Sequence, residues 1–122
     1  MTFPSDWPTG CPATDVPQAQ GDVFRIVKGD PVTTEDMLSH HETGKMPMAD
    51  PCRRCGLSVF LVVEDALHQQ KLIPRLGTKI AKAVLEAVHG KARQTGTPTH
   101  TTWWPFEGVD RAKLFTVVQE VA

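Results

Sequence analysis

The chain has 122 residues, 40% of them hydrophobic and 22% charged, with a formal net charge of −1. That length fits one domain able to bury about two-thirds of its unfolded surface without staples. The near-neutral charge argues against a dedicated nucleic-acid binder, and no apolar run approaches the roughly 20 residues of a membrane span. Charge is unevenly spread: residues 1–50 carry eight acids and three bases, and residues 51–122 carry six acids and ten bases. Within residues 71–93, six bases face Glu86 alone. Such a segment is either a solvated face or a rim that attracts a phosphate-bearing ligand.

Residues 1–20 hold Pro4, Pro8, Pro12 and Pro17. Proline fixes φ and removes a donor, so this is read as an arm, with Phe3 and Trp7 available to pin it to a body spanning 21–122. The opening MTFPSDWPTG lacks the basic start and apolar stretch of a signal peptide, so a cytoplasmic address in a prokaryote is expected. The stretch DVFRIVKGDP predicts a strand and a turn, with Val23, Arg25 and Val27 on one face. An arginine between valines needs an anion, either a nearby carboxylate or a bound phosphate or carboxylate. TTEDMLSHHETG predicts a short helix, started at Thr33 or Thr34 and stopped by Gly44. MPMADP is a loop.

PCRRCGLSVF carries two signals. Cys52 and Cys55 have the spacing of a zinc half-site, with His40 and His41 upstream as the nearest further ligands and His68, His89 and His100 as remote ones. The same pair could be inert turn thiols, or a redox pair activated by Arg53 and Arg54. Three cysteines are too few and too odd for a disulfide framework, and a reducing cytosol leaves them as thiols or metal ligands. Residues 57–63 predict a strand buried on both faces. EDALHQQKLI predicts a helix stopped by Pro74. TKIAKAVLEAVHG fits both periods, and its alanines favour a helix. KARQT and HTTWW predict strands, the second placing His100, Thr102 and Trp104 on one face and Thr101 and Trp103 on the other. That pattern suits a ligand pocket with an aromatic wall, or a core tryptophan pair with a hydrogen-bonded histidine. GVDRAKLF predicts a short helix capped near Asp110, and FTVVQEV a final strand. The whole predicts a single α+β domain with a central twisted, mostly antiparallel sheet and two or three short helices.

The ordered set VFRIVKGDPVTTEDMLSH, GLSVF, PRLGTKIAK, HTTWW and LFTVV resembles a family of small uncharacterised bacterial proteins, over about residues 22–120. Its layout is similar to that of ADP-ribosyltransferase-like folds, small toxins among them. The resemblance implies a catalytic set of Arg25 on the first strand, Ser58 on the second and His100, or else Glu120, late in the chain. It implies NAD as cofactor, held by Arg25 with Trp103 and Trp104 beside it, and it places KIAKAVLE on a strand. The chain lacks any tyrosine to stack on nicotinamide. Two further expectations stand beside the NAD-binding toxin or effector. One is a non-catalytic partner-binding protein of a toxin–antitoxin or secretion system. The other is a small domain stabilised by zinc on Cys52, Cys55, His40 and His41.

Overall fold

Alternation of side chains across an extended backbone builds the sheet on which this molecule is organised. The structure is a computed structural model that describes residues 1–121. Six strands form one sheet: β1 (Gly21–Val27), β2 (Leu57–Phe60), β3 (Lys79–Leu85), β4 (Gly90–Gln94), β5 (His100–Pro105) and β6 (Thr116–Glu120). Their order across the sheet is β4-β5-β2-β1-β3-β6, and each neighbouring pair is antiparallel. Four helices accompany it: α1 (His40–Thr43), α2 (Pro51–Cys55), α3 (Val63–Leu72) and α4 (Arg111–Leu114). The expected single α+β domain is what the chain forms. No helix among the described residues is long and apolar enough to cross a membrane.

The ambiguous segment at 79–85 is a strand. It pairs with β1 over seven registered residues, Gly21 with Leu85 through to Val27 with Lys79. As a strand it buries Ala81, Ala83 and Leu85 on one face and Ile80 on the other, while Val84 stays exposed. Two flanking ladders supply backbone hydrogen bonds from both sides, and this outweighs the helix preference of the alanines. The helix expected near residues 33–41 breaks into a 3-10 turn, Glu35–Met37, and the four-residue α1. Ser39 is the reason. Its hydroxyl accepts from the Glu42 N–H, and the Glu42 carboxylate accepts from the Ser39 N–H, which starts a new helix there. Gly44 ends α1 in the left-handed conformation, φ 70°. α2 replaces the expected turn, capped by Asp50 and led by Pro51. β2 is shorter than predicted, because Val62 already caps α3.

The two sheet faces bury different clusters. On one, Val23, Val27, Leu57, Val59, Ala81, Ala83, Leu85 and Trp103 pack with Met37 and Phe115. On the other, α3 lays Ala66 over Phe60 and Ile80, with Phe24 and Ile26 at the margin. At the far end of that second face, Trp104 meets Trp7 and Val16 of the arm and Cys55 of α2. The arm is docked. Phe3 lies between Trp7 and Phe106, with ring centroids 5.3 and 4.7 Å away. Its backbone also continues the sheet past β4: Ala19 N–H donates to Gly90 C=O and Ala92 N–H to Pro17 C=O. An edge strand is thereby covered rather than left as a template for another chain.

Candidate functional site

Between the two apolar clusters of the second face lies a polar strip. Ser58 is exposed on β2, and its register partner on β5 is Thr102. His100, half-buried at the start of β5, lies on the same face. Ser58 Oγ is 3.0 Å from His100 Nε2, and Thr95 Oγ1 is 3.2 Å from His100 Nδ1. Thr95 Oγ1 is in turn 2.7 Å from Thr102 Oγ1. The strip is thus a continuous chain of four side chains, Ser58–His100–Thr95–Thr102.

Local structure holds each member in place. Thr95 opens the loop between β4 and β5, and both its N–H and that of Gly96 donate to the His100 carbonyl, at 2.9 and 3.1 Å. Gln94 braces the same loop by donating to the Pro98 carbonyl at 2.7 Å. Thr99 donates to Asp65 of α3 at 2.6 Å and accepts from the Leu61 N–H. The His100 ring stands edge-on to Phe60, centroids 5.5 Å apart. Gly56 lets α2 approach Thr102, since a Cβ at that position would collide with the Thr102 methyl. Arg53 of α2 reaches over, donating to the Thr95 carbonyl at 3.3 Å. Burial, and then the Arg53 charge, hold His100 below its ordinary pKa, so the ring is neutral at pH 7.

Arg25 is not part of this strip. Phe24 is the register partner of Phe60, which shares the His100 face, so Arg25 projects from the opposite face with Val23 and Val27. There its Nη1 donates to the Ser58 carbonyl at 2.8 Å and its Nε to the Asp36 carbonyl at 3.0 Å. The expected cleft shared by Arg25, Ser58 and His100 is therefore corrected. The arginine braces the back of β2 through two main-chain oxygens, and only Ser58 and His100 meet. Burial draws its pKa down to about 10, so it remains charged at neutral pH.

The expected aromatic wall for a cofactor is also corrected. Trp103 is 0% exposed and donates its indole N–H to the His89 carbonyl, in the core of the opposite face. Trp104 is 4% exposed and donates to the Cys52 carbonyl. Both satisfy their one polar atom inside the protein, which leaves no ring face for a nicotinamide. Glu120, the other late member of the catalytic set, lies on β6 and contacts Lys79.

The zinc half-site is overturned by a disulfide. Cys52 is bonded to Cys11 of the arm, with Cα atoms 5.5 Å apart. Cys55 remains a buried free thiol, and burial pushes its pKa up to about 11. His40 is exposed, and His41 Nε2 lies 2.9 Å from Asp6. No group of three or more metal-ligating side chains is gathered among the described residues. The expectation that all three cysteines are thiols or metal ligands is thereby corrected, since two of them are joined to each other.

In comparisons with known proteins, no family model, no curated protein and no solved structure matches the chain. The strip is read from its own geometry. Period-two alternation in HTTWW put His100 and Thr102 together in advance. Thr95 and Arg53 were missed as members. Thr95 is reached only once β4 and β5 are paired, with Gln94 opposite Thr101. Four of the six bases of residues 71–93 pair across the surface: Lys79 with Glu120, Lys82 with Asp22, Arg93 with Asp15, and Lys91 with the Thr14 carbonyl, while Lys71 and Arg75 are exposed.

Proposed function

We propose that the working surface of this protein is the strip formed by Ser58, His100 and Thr95, with Arg53 as its cation, and that it takes a phosphate-bearing ligand. The observation that carries this reading is the 3.0 Å contact between an exposed serine hydroxyl and a neutral histidine, between two apolar clusters and beside an arginine. Arg53 spends one N–H on the Thr95 carbonyl. A guanidinium carries five donors, and the remainder suit a phosphate or carboxylate. NAD is the ligand implied by the ADP-ribosyltransferase-like resemblance, and its diphosphate is the part this strip would hold. A role as a toxin or effector belongs to the same reading.

Thermal unfolding in the presence of NAD and of ADP-ribose tests it. A ligand at 100 times its Kd stabilises the native state by about 2.7 kcal/mol, which corresponds to a rise of several degrees in Tm for a chain of this size. The rise is expected for the wild type and is expected to shrink in Arg53→Gln and Ser58→Ala. An unchanged Tm at millimolar concentrations of both compounds rejects the reading.

A further inference from the structure

The chain Ser58–His100–Thr95–Thr102 can run in two directions, and its buried end selects one. Thr102 is 4% exposed. Among the described residues its hydroxyl has a single hydrogen-bond partner, Thr95 Oγ1 at 2.7 Å. If Thr95 donated to Thr102, the Thr102 proton would be buried with no acceptor. An unmade hydrogen bond of that kind is the expensive outcome, so Thr102 donates. The Thr95 hydroxyl then has its own proton to give, and His100 Nδ1 at 3.2 Å is there to accept it. A neutral imidazole that accepts at Nδ1 carries its proton on Nε2. That proton goes to Ser58 Oγ at 3.0 Å. Ser58 therefore receives a hydrogen bond from His100, and its own O–H points away from the ring.

This direction is the reverse of what nucleophilic catalysis needs. An activated serine gives its proton to a bare imidazole nitrogen, and the far nitrogen donates to a fixed acceptor. Here the far side is a hydroxyl that already accepts from Thr102 and whose own proton has, among the described residues, His100 Nδ1 as its one acceptor. We infer that Ser58 is not a nucleophile but a hydrogen-bond donor to an oxyanion, a phosphate or carboxylate oxygen with no proton of its own, and that Thr95 is the positioning residue that sets this direction. The inference rests on the strip being the ligand site and names the atom of the ligand that Ser58 grips. A donor that is itself receiving a hydrogen bond is polarised, which strengthens its grip on an anion.

The imidazole 15N shifts of His100, read at pH 7.5 by long-range 15N–1H correlation, test the direction. The Nε2–H form is expected in the wild type. Thr95→Asp places an acceptor-only carboxylate behind Nδ1 and is expected to draw the proton there. An Nδ1–H form in the wild type overturns the inference, as does a tautomer unmoved by Thr95→Asp. So does covalent labelling of wild-type Ser58 by a fluorophosphonate. Titration with inorganic pyrophosphate tests the grip, and Ser58→Ala is expected to weaken binding about tenfold. Binding undiminished by Ser58→Ala overturns this assignment alone, whereas no pyrophosphate binding by the wild type overturns both it and the phosphate reading above.

Discussion

Arg25 illustrates how a side chain that looks like a ligand-binding group is consumed by the backbone. Its position between valines demanded an anion, and its guanidinium instead spans the carbonyls of Ser58 and Asp36. The Asp36 carboxylate is occupied elsewhere. It accepts from the N–H groups of Lys28, Gly29 and Thr33 and from the Thr33 hydroxyl. Burial alone would push the Asp36 pKa up, but those donors more than offset it and hold the carboxyl below its ordinary value. Arg25 thus couples β2 to the turn at Glu35–Met37 from behind the candidate site. Removing it leaves two carbonyls without their charged donor, and hydrogen bonds to charged groups contribute about 1.5–3 kcal/mol each. Arg25→Met is expected to lose about 2–4 kcal/mol by urea denaturation. Arg25→Lys is expected to recover little, because an ammonium lacks the planar fork that spans both oxygens. A loss below about 0.5 kcal/mol would show that the brace is dispensable.

At the scale of elements, short pieces are held by caps and one covalent bond. α1, α2 and α4 have four or five residues each, too few to persist alone. Ser39, Asp50 and Asp110 each accept from the N–H of the third residue of the helix they cap. α1 is further tied to α4 by Arg111 Nη1, which donates to Glu42 Oε1 at 2.6 Å and to the Met37 carbonyl at 2.8 Å. α2 is tied to the arm by the bond from Cys52 to Cys11, across a sequence separation of 41. Closing a loop of that length stabilises the fold by about 4 kcal/mol in the chain-entropy account. Full reduction, or Cys11→Ser with Cys52→Ser, is expected to lower the urea midpoint accordingly. The stacking of Trp7 on Phe3 and the buried cluster that Trp7 shares with Trp104 remain to hold the arm. A midpoint unchanged by dithiothreitol in a sample shown to be reduced would contradict this.

For the molecule as a whole, the asymmetry between acidic and basic halves is largely internal. Among the described residues three ion pairs cross it: Asp15 with Arg93, Asp22 with Lys82, and Glu42 with Arg111. Exposed pairs contribute little singly, so their main effect is to cancel the fields of the two halves. The dependence of stability on pH is set by groups held away from their ordinary pKa. His40, exposed but partly desolvated, is lowered first by that desolvation and then by Arg25, Lys45 and Arg54, and His100 is lowered by burial and Arg53, both from 6.5. The unfolded chain therefore binds more protons than the folded one as pH falls below about 6.5, and stability is lost on acidification. Glu42 adds to this at lower pH. Burial alone would raise it, but Arg111 and Ser39 hold it below 4.5. At the alkaline end, the Cys55 thiol ionises near 9 when unfolded and near 11 when folded, so stability falls across that interval. Urea midpoints are expected to be flat between about pH 6.5 and 9 and to fall on either side. A midpoint that rises toward pH 5 would contradict the assignment of neutral histidines.

Much of the fold and half of the site were legible in the chain itself. Alternation assigned Val23, Arg25 and Val27 to one face and His100, Thr102 and Trp104 to another, because an extended backbone turns successive side chains to opposite sides whatever it packs against. The order of the predicted elements likewise marked an α+β domain, and Asp110 marked the start of α4. Tertiary structure decided the rest. It made Lys79–Leu85 a strand by offering it two partners, joined Cys11 to Cys52 rather than leaving a zinc pair, and buried Trp103 and Trp104. It also turned Arg25 away from Ser58 Oγ and brought Thr95 beneath His100. Each of those outcomes depends on contacts between residues far apart in the chain or on which of two faces is covered, and neither is encoded in local periodicity.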